Sequence, residues 1–196
     1  LDEVKRASQL ITGVTDATMS HGEAWHFARM GRLIERADKT SRVLDVEAYF
    51  QPASAGGAAD AASAQEDPAD AVRWSAVLES ASALEMYRKE YGAVSRRNVA
   101  EFLILDRAFP RAMHFCLIKA EESLLAVTGG VKGAYSNPAE QRIGRLRSEL
   151  DYGGIDEILA GDGGLHGFID AFQSRLNGAS HAIHDTFFAL APVGRA

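Results

Sequence analysis

Apolar residues at 165, 169, 172, 176, 179, 183, 187 and 190 recur in alternating fours and threes. That spacing lines one face of an α-helix and forms the seam of a helical bundle. A helix over 165–190 is predicted. Residues 111–127 read differently, because Met113, Phe115, Leu117, Ile118, Leu124 and Leu125 fall all round the wheel, as in a helix enclosed by others. A third helix shows one inner face, Trp74, Val77, Leu78, Ala81 and Leu84, and its start is marked by Asp67 as N-cap, Pro68 at the first position and Asp70 in the first turn. It is predicted to end near residue 91. Ser20 and Glu23 read as a capping box opening a long helix to about residue 49. Before it, residues 2–12 read as the tail of a helix closed by Gly13, with a turn over 14–16. Residues 98–105 form a short helix that breaks at Asp106-Arg107-Ala108-Phe109-Pro110, with Pro110 opening the next. Asn137-Pro138 repeats the cap-plus-proline start for a helix to about 151, and a short helical segment follows at 155–160.

No run alternates in the way a half-buried strand requires. The chain is therefore predicted to be all-α, a single-domain multi-helix bundle over 1–196 with long antiparallel helices and no sheet. Residues 51–66 are mostly Ala, Gly and Ser, with almost nothing to bury, and read as a flexible inter-helix linker.

Composition narrows the function classes. The 196 residues carry 21 Lys and Arg against 27 Asp and Glu, a formal charge of −6, with no basic block, so nucleic acid is not an expected partner. No stretch approaches the roughly 18 apolar residues that span a bilayer, and the first residues do not resemble a signal peptide. Cys116 is the single cysteine, placed among apolar residues, which suits a buried thiol in a reducing cytoplasm.

The chemistry-bearing residues concentrate in two places. On the helix after Ser20, His26 falls within the apolar face, while Arg29 and Arg36 lie along its edge, where a guanidinium needs a carboxylate or a bound anion to offset desolvation. Glu35 with Lys39 and Asp38 with Arg42 read as exposed acid-before-base pairs, each worth about 0.2–0.5 kcal/mol. On the central helix, Arg111, His114 and Glu121 form a polar stripe, preceded by Arg107. Two readings stand for these groups: a structural network of ions and hydrogen bonds, or a pocket in which Arg29, Arg36, Arg107 and Arg111 hold an anion, with His26 or His114 as acid or base. His21 and His26, five residues apart, diverge by about 140° and do not form a metal pair. The pair His181 and His184 lies off the seam, on an exposed face. No nucleophile motif, metal set, nucleotide loop or cofactor site is found in the pattern.

Several motifs in order carry a resemblance. Residues 15–23 (Thr-Asp-Ala-Thr-Met-Ser-His-Gly-Glu), 29–38 around Glu35-Arg36, 101–111 (Glu-Phe-Leu-Ile-Leu-Asp-Arg-Ala-Phe-Pro-Arg) and Gly144-Arg145-Leu146-Arg147 resemble the Alpha-E family of bacterial helical domains, named for a Glu-Arg motif. The resemblance covers the chain to about residue 188, and Glu35-Arg36 stands at that motif. It implies a helical bundle that works beside circularly permuted ATP-grasp ligases or transglutaminase-like proteins, as an auxiliary component of amide ligation or peptide modification. The alternatives are that the domain is itself an enzyme acting on a carboxylate or phosphate substrate, or that it is a purely structural interaction module. It also implies an earlier helix upstream of residue 1, so that apolar faces covered by such a segment are expected to be exposed or to pair with another copy.

Overall fold

The computed structural model describes residues 2–50 and 68–189, and every regular element in them is an α-helix. In chain order these are α1 (Asp2–Thr18), α2 (Glu23–Phe50), α3 (Pro68–Ser80), α4 (Leu84–Glu90), α5 (Arg96–Leu105), α6 (Met113–Thr128), α7 (Pro138–Tyr152), α8 (Ile155–Ala160) and α9 (Gly164–Phe187). The linker expected at 51–66 and the Asp67 cap lie outside the described residues.

The long helices α2, α6, α7 and α9 close a ring in which α2 packs on α6, α6 on α7, α7 on α9 and α9 back on α2. Cross-helix contacts fix their directions. Arg29 meets Ser123 and Thr40 meets Arg111, so α2 and α6 run antiparallel. Glu121 meets Arg147 and His114 meets Asp151 between α6 and α7, while Asp45 meets His166 and Phe27 meets Phe187 between α2 and α9. The ring is thus an up-down-up-down bundle. α3 packs on α2 and α5, and α8 sits between α5 and α9.

The pattern that predicted the elements also places the core. Leu165, Ile169, Phe172, Leu176, Ala179 and Ile183 of the α9 seam are all buried, and Trp74, Val77 and Leu78 of α3 are buried as well, with Ala81 just after it. Asn137 caps α7 by accepting from Glu140 N at 3.0 Å. Ser95 caps α5 through Asn98 N, which starts that helix two residues earlier than expected.

Four further boundaries differ from expectation, each for a local reason. α1 runs past Gly13 to Thr18, because Thr12, Thr15 and Thr18 each bond back to the carbonyl four residues earlier and hold the helical path. α2 opens at Glu23, with Gly22 O accepting the first helical bond from His26 N, so Ser20 lies outside the cap position. The helix expected over 68–91 is two. Ser82 takes a left-handed φ of 51°, and its neighbour Ala83 bonds back to Leu78 O, a helix-ending turn. Finally, Pro110 lies in a turn and α6 begins at Met113, because the carbonyls of Pro110 and Arg111 accept from the α2 side chains Arg36 and Thr40.

α1 extends from the bundle with Val4, Leu10, Ile11 and Val14 exposed. Its Asp16 carboxylate accepts from Trp25 Nε1 and Arg32 of α2. No helix of the described residues is long and apolar enough to cross a membrane.

Candidate functional site

Arg32, Arg36, Lys39 and Val43 stand at successive turns on one side of α2. They line a cleft of about 360 Å³ bounded by Ser8 of α1, the C-terminal end of α3 and Arg111. Among the described residues its charged lining is four cations, Arg32, Arg36, Lys39 and Arg111, against the single carboxylate of Glu35. Arg32 is compensated by Asp16 at 3.1 Å. Arg36 and Arg111 are not held by carboxylates among the described residues. Arg36 Nη1 donates to Pro110 O at 3.1 Å, and Arg111 Nη1 donates to Ala81 O at 3.2 Å and Ser82 Oγ at 3.3 Å. These neutral oxygens position the guanidinium groups while leaving their charge unbalanced.

The backbone explains the positions. Arg111 sits at the C-terminal end of α3, where unsatisfied carbonyls favour a cation. The turn at Ser82 turns its hydroxyl to the same guanidinium. Thr40 Oγ1 donates to Arg111 O at 2.8 Å and ties the segment before α6 to α2. A guanidinium carries five N–H donors. Each of these two therefore retains donors for an added anion, and a planar fork suits the paired oxygens of a carboxylate or phosphate.

The sequence model of the Alpha-E family, described as a predicted alpha-helical domain with a conserved ER motif, matches residues 1–188. The chain belongs to the Alpha-E family. Glu35-Arg36 is the one Glu-Arg dipeptide in the sequence, and these two residues bring a carboxylate and a guanidinium without a carboxylate partner among the described residues to the cleft. No curated protein and no solved structure matches the chain.

The remaining candidate residues of this Alpha-E domain divide between places. Arg29 lies over the Trp25 ring, 5.2 Å from its centroid, and donates to Ser123 Oγ at 3.2 Å, outside the cleft. His26 packs edge-on against Trp25. Partial burial, with Arg29 and His21 nearby, lowers its pKa from the ordinary 6.5. His21 stacks on Trp25 at 4.0 Å, and His181 and His184 are exposed.

His114 belongs to a buried network between α6 and α7, which the exposed Arg107 joins from the segment before α6. Arg147 pairs with Glu121 at 2.6 Å and with Asp151, and Asp151 also takes Arg107 at 3.2 Å and His114 Nε2 at 2.9 Å. The other ring nitrogen of His114 faces Leu105 O at 3.2 Å. Burial lowers the His114 pKa, and the cations of Arg107, Arg147 and Lys132 act in the same direction, against the bond to Leu105. A neutral imidazole has one N–H and so donates to only one of these two acceptors.

The polar stripe of α6 is therefore split: His114 and Glu121 enter a structural network, whereas Arg111 joins Arg36 in the cleft. A pocket combining Arg29, Arg36, Arg107 and Arg111 with a histidine is not formed, because Arg29 and Arg107 end on other partners and neither His26 nor His114 lines the cleft. Of the two surface pairs read from α2, Asp38 and Arg42 pair at 2.7 Å. Glu35 and Lys39 instead both face the cleft without pairing. Arg147 and Asp151 escaped the sequence reading. Their signal was Arg147 itself, a charge set into the apolar stripe of Ile143, Leu146 and Leu150.

Proposed function

We propose that this Alpha-E domain is a binding component that takes an anionic group, a carboxylate or a phosphate, between Arg36 and Arg111. In this reading it serves as an auxiliary part of an ATP-grasp-type amide-ligation or peptide-modification system. One observation carries the first part: two guanidinium groups rest on neutral oxygens in an open cleft, so their charge is available to an incoming anion. Binding fits better than catalysis, because neither histidine read as an acid or base, His26 or His114, lines the cleft. Burial pushes the Cys116 thiol up to about 12, which keeps it protonated and unreactive. The family resemblance supports the second part, with a circularly permuted ATP-grasp ligase or a transglutaminase-like protein as partner.

Co-expression with such a ligase tests the reading. The domain is expected to co-elute with the ligase and to raise its amide-forming turnover. Arg36→Gln and Arg111→Gln should lower that turnover while the complex persists. Absence of a complex together with unchanged ligase turnover contradicts the auxiliary role.

A further inference from the structure

A second cavity, of about 510 Å³, opens between α6, α7 and the connection over residues 129–137. It does not share a residue with the Glu35-Arg36 cleft. Its walls are apolar where Leu124, Leu125 and Ala134 line them, with Tyr135 beside them. At its base lies Glu121, 7% exposed. Glu121 Oε2 is committed to Arg147 at 2.6 Å. The other oxygen, Oε1, makes no hydrogen bond among the described residues and is turned toward Gly144, which also lines the cavity.

Gly144 explains how that oxygen stays open. A Cβ at this position would come within 3.2 Å of Glu121 Oε1. Glycine inside a helix is unfavourable relative to alanine, so its presence in the middle of α7 has a packing reason here. The Gly-Arg-Leu-Arg motif of α7 thus supplies both the space beside Glu121, through Gly144, and its partner, through Arg147. The roof is fixed as well. Glu140 Oε2 accepts from Ser136 N at 2.6 Å and Ser136 Oγ at 3.0 Å, which holds the end of the connection against α7.

The charge balance selects the ligand. Inside the cavity Glu121 and Glu140 face one cation, Arg147, and that cation is shared with Asp151. Arg145 and Glu149 stand at exposed positions of the lining, and Glu149 is paired with Arg175 at 2.7 Å. A carboxylate oxygen without a hydrogen-bond donor, on a residue largely withdrawn from water, favours a charged N–H donor, and the apolar walls favour a hydrocarbon body.

We infer that this cavity is a binding site for a small organic amine, its ammonium on Glu121 Oε1 and its apolar body against Leu124, Leu125 and Tyr135. The site is independent of the anion-binding reading, and its ligand has the opposite charge.

Three probes of one shape test it by calorimetry on the whole chain: 2-phenylethylamine, 2-phenylethanol and phenylacetate. The amine is expected to bind, with the alcohol at least about tenfold weaker, as loss of a charged hydrogen bond implies, and phenylacetate weaker still. Equal binding of amine and alcohol, tighter binding of phenylacetate, or no heat from the amine at millimolar concentration overturns the inference. Glu121→Gln should abolish the preference for the amine, but it also disturbs Arg147. Ala134→Trp, which fills the cavity from its exposed rim, should therefore remove amine binding with an unchanged melting temperature. If Ala134→Trp binds the amine as the parent chain does, the cavity is not the site. Arg36→Gln should leave amine binding unchanged, so failure of either site is read separately.

Discussion

Arg147 compensates two carboxylates at once, Glu121 across the helix interface and Asp151 one turn along α7, and all three side chains are largely withdrawn from water. Removing it leaves Glu121 buried without its cation, and breaking such a pair costs about 3–5 kcal/mol. Arg147→Ala should lower the unfolding free energy by that order in urea titration, whereas Arg142→Ala, on the exposed side of the same helix, should stay within about 0.5 kcal/mol. His114 and His26 add a pH dependence. Both have pKa values lowered from 6.5, so above that value folded and unfolded chains alike hold neutral rings. As pH falls below 6.5 the unfolded chain takes up protons first, and stability declines. The urea midpoint should drop between pH 7.5 and pH 5.5, less steeply in His114→Gln; a midpoint that does not move with pH contradicts the assignment. At this scale the sequence was informative about which residues need partners and uninformative about the partners. Arg36 and Arg111 stood out as cations at helix edges. That backbone carbonyls would receive them could not be read from side-chain spacing, since those carbonyls belong to two turns, one before α6 and one after α3, whose shapes are set by tertiary contacts.

Helix starts marked by a side-chain cap and proline were legible almost to the residue, because the signal is local. Asn137-Pro138 opens α7 as expected, and 155–160 is the helix α8. Asn137→Ala removes the bond to Glu140 N and should cost about 1 kcal/mol. The same change should speed hydrogen exchange at the Ser136 amide, which Glu140 holds at 2.6 Å. Unaltered exchange there would show that the connection is held by something else. Helix ends set by longer-range contacts were not legible. The break between α3 and α4 rests on a left-handed serine whose hydroxyl and neighbouring carbonyl meet Arg111, some thirty residues later in the chain. The periodicity of Trp74 to Leu84 runs straight through that break, since both pieces bury the same stripe.

The ring of α2, α6, α7 and α9 carries its chemistry in two separate places: a cationic cleft beside α2, and a cavity with buried acidic residues between α6 and α7. The bundle class was readable from the seam of α9 and the all-round apolar pattern of α6, which together demand neighbours on several sides. The order of helices round the ring depends on pairings that no single helix encodes. Phe172, 1% exposed at the centre of the seam, should cost about 3–5 kcal/mol on truncation to alanine, against roughly 0.5 kcal/mol or less for the exposed Phe188. The central claim concerns the cleft, and the most direct measurement is calorimetric titration of the chain with inorganic pyrophosphate and with citrate at low ionic strength. The account predicts binding of at least one of these anions, weakened about tenfold or more in Arg36→Gln and Arg111→Gln and unchanged in Arg175→Gln. Absence of binding by either anion, or equal binding by the Arg36→Gln and parent chains, would contradict it.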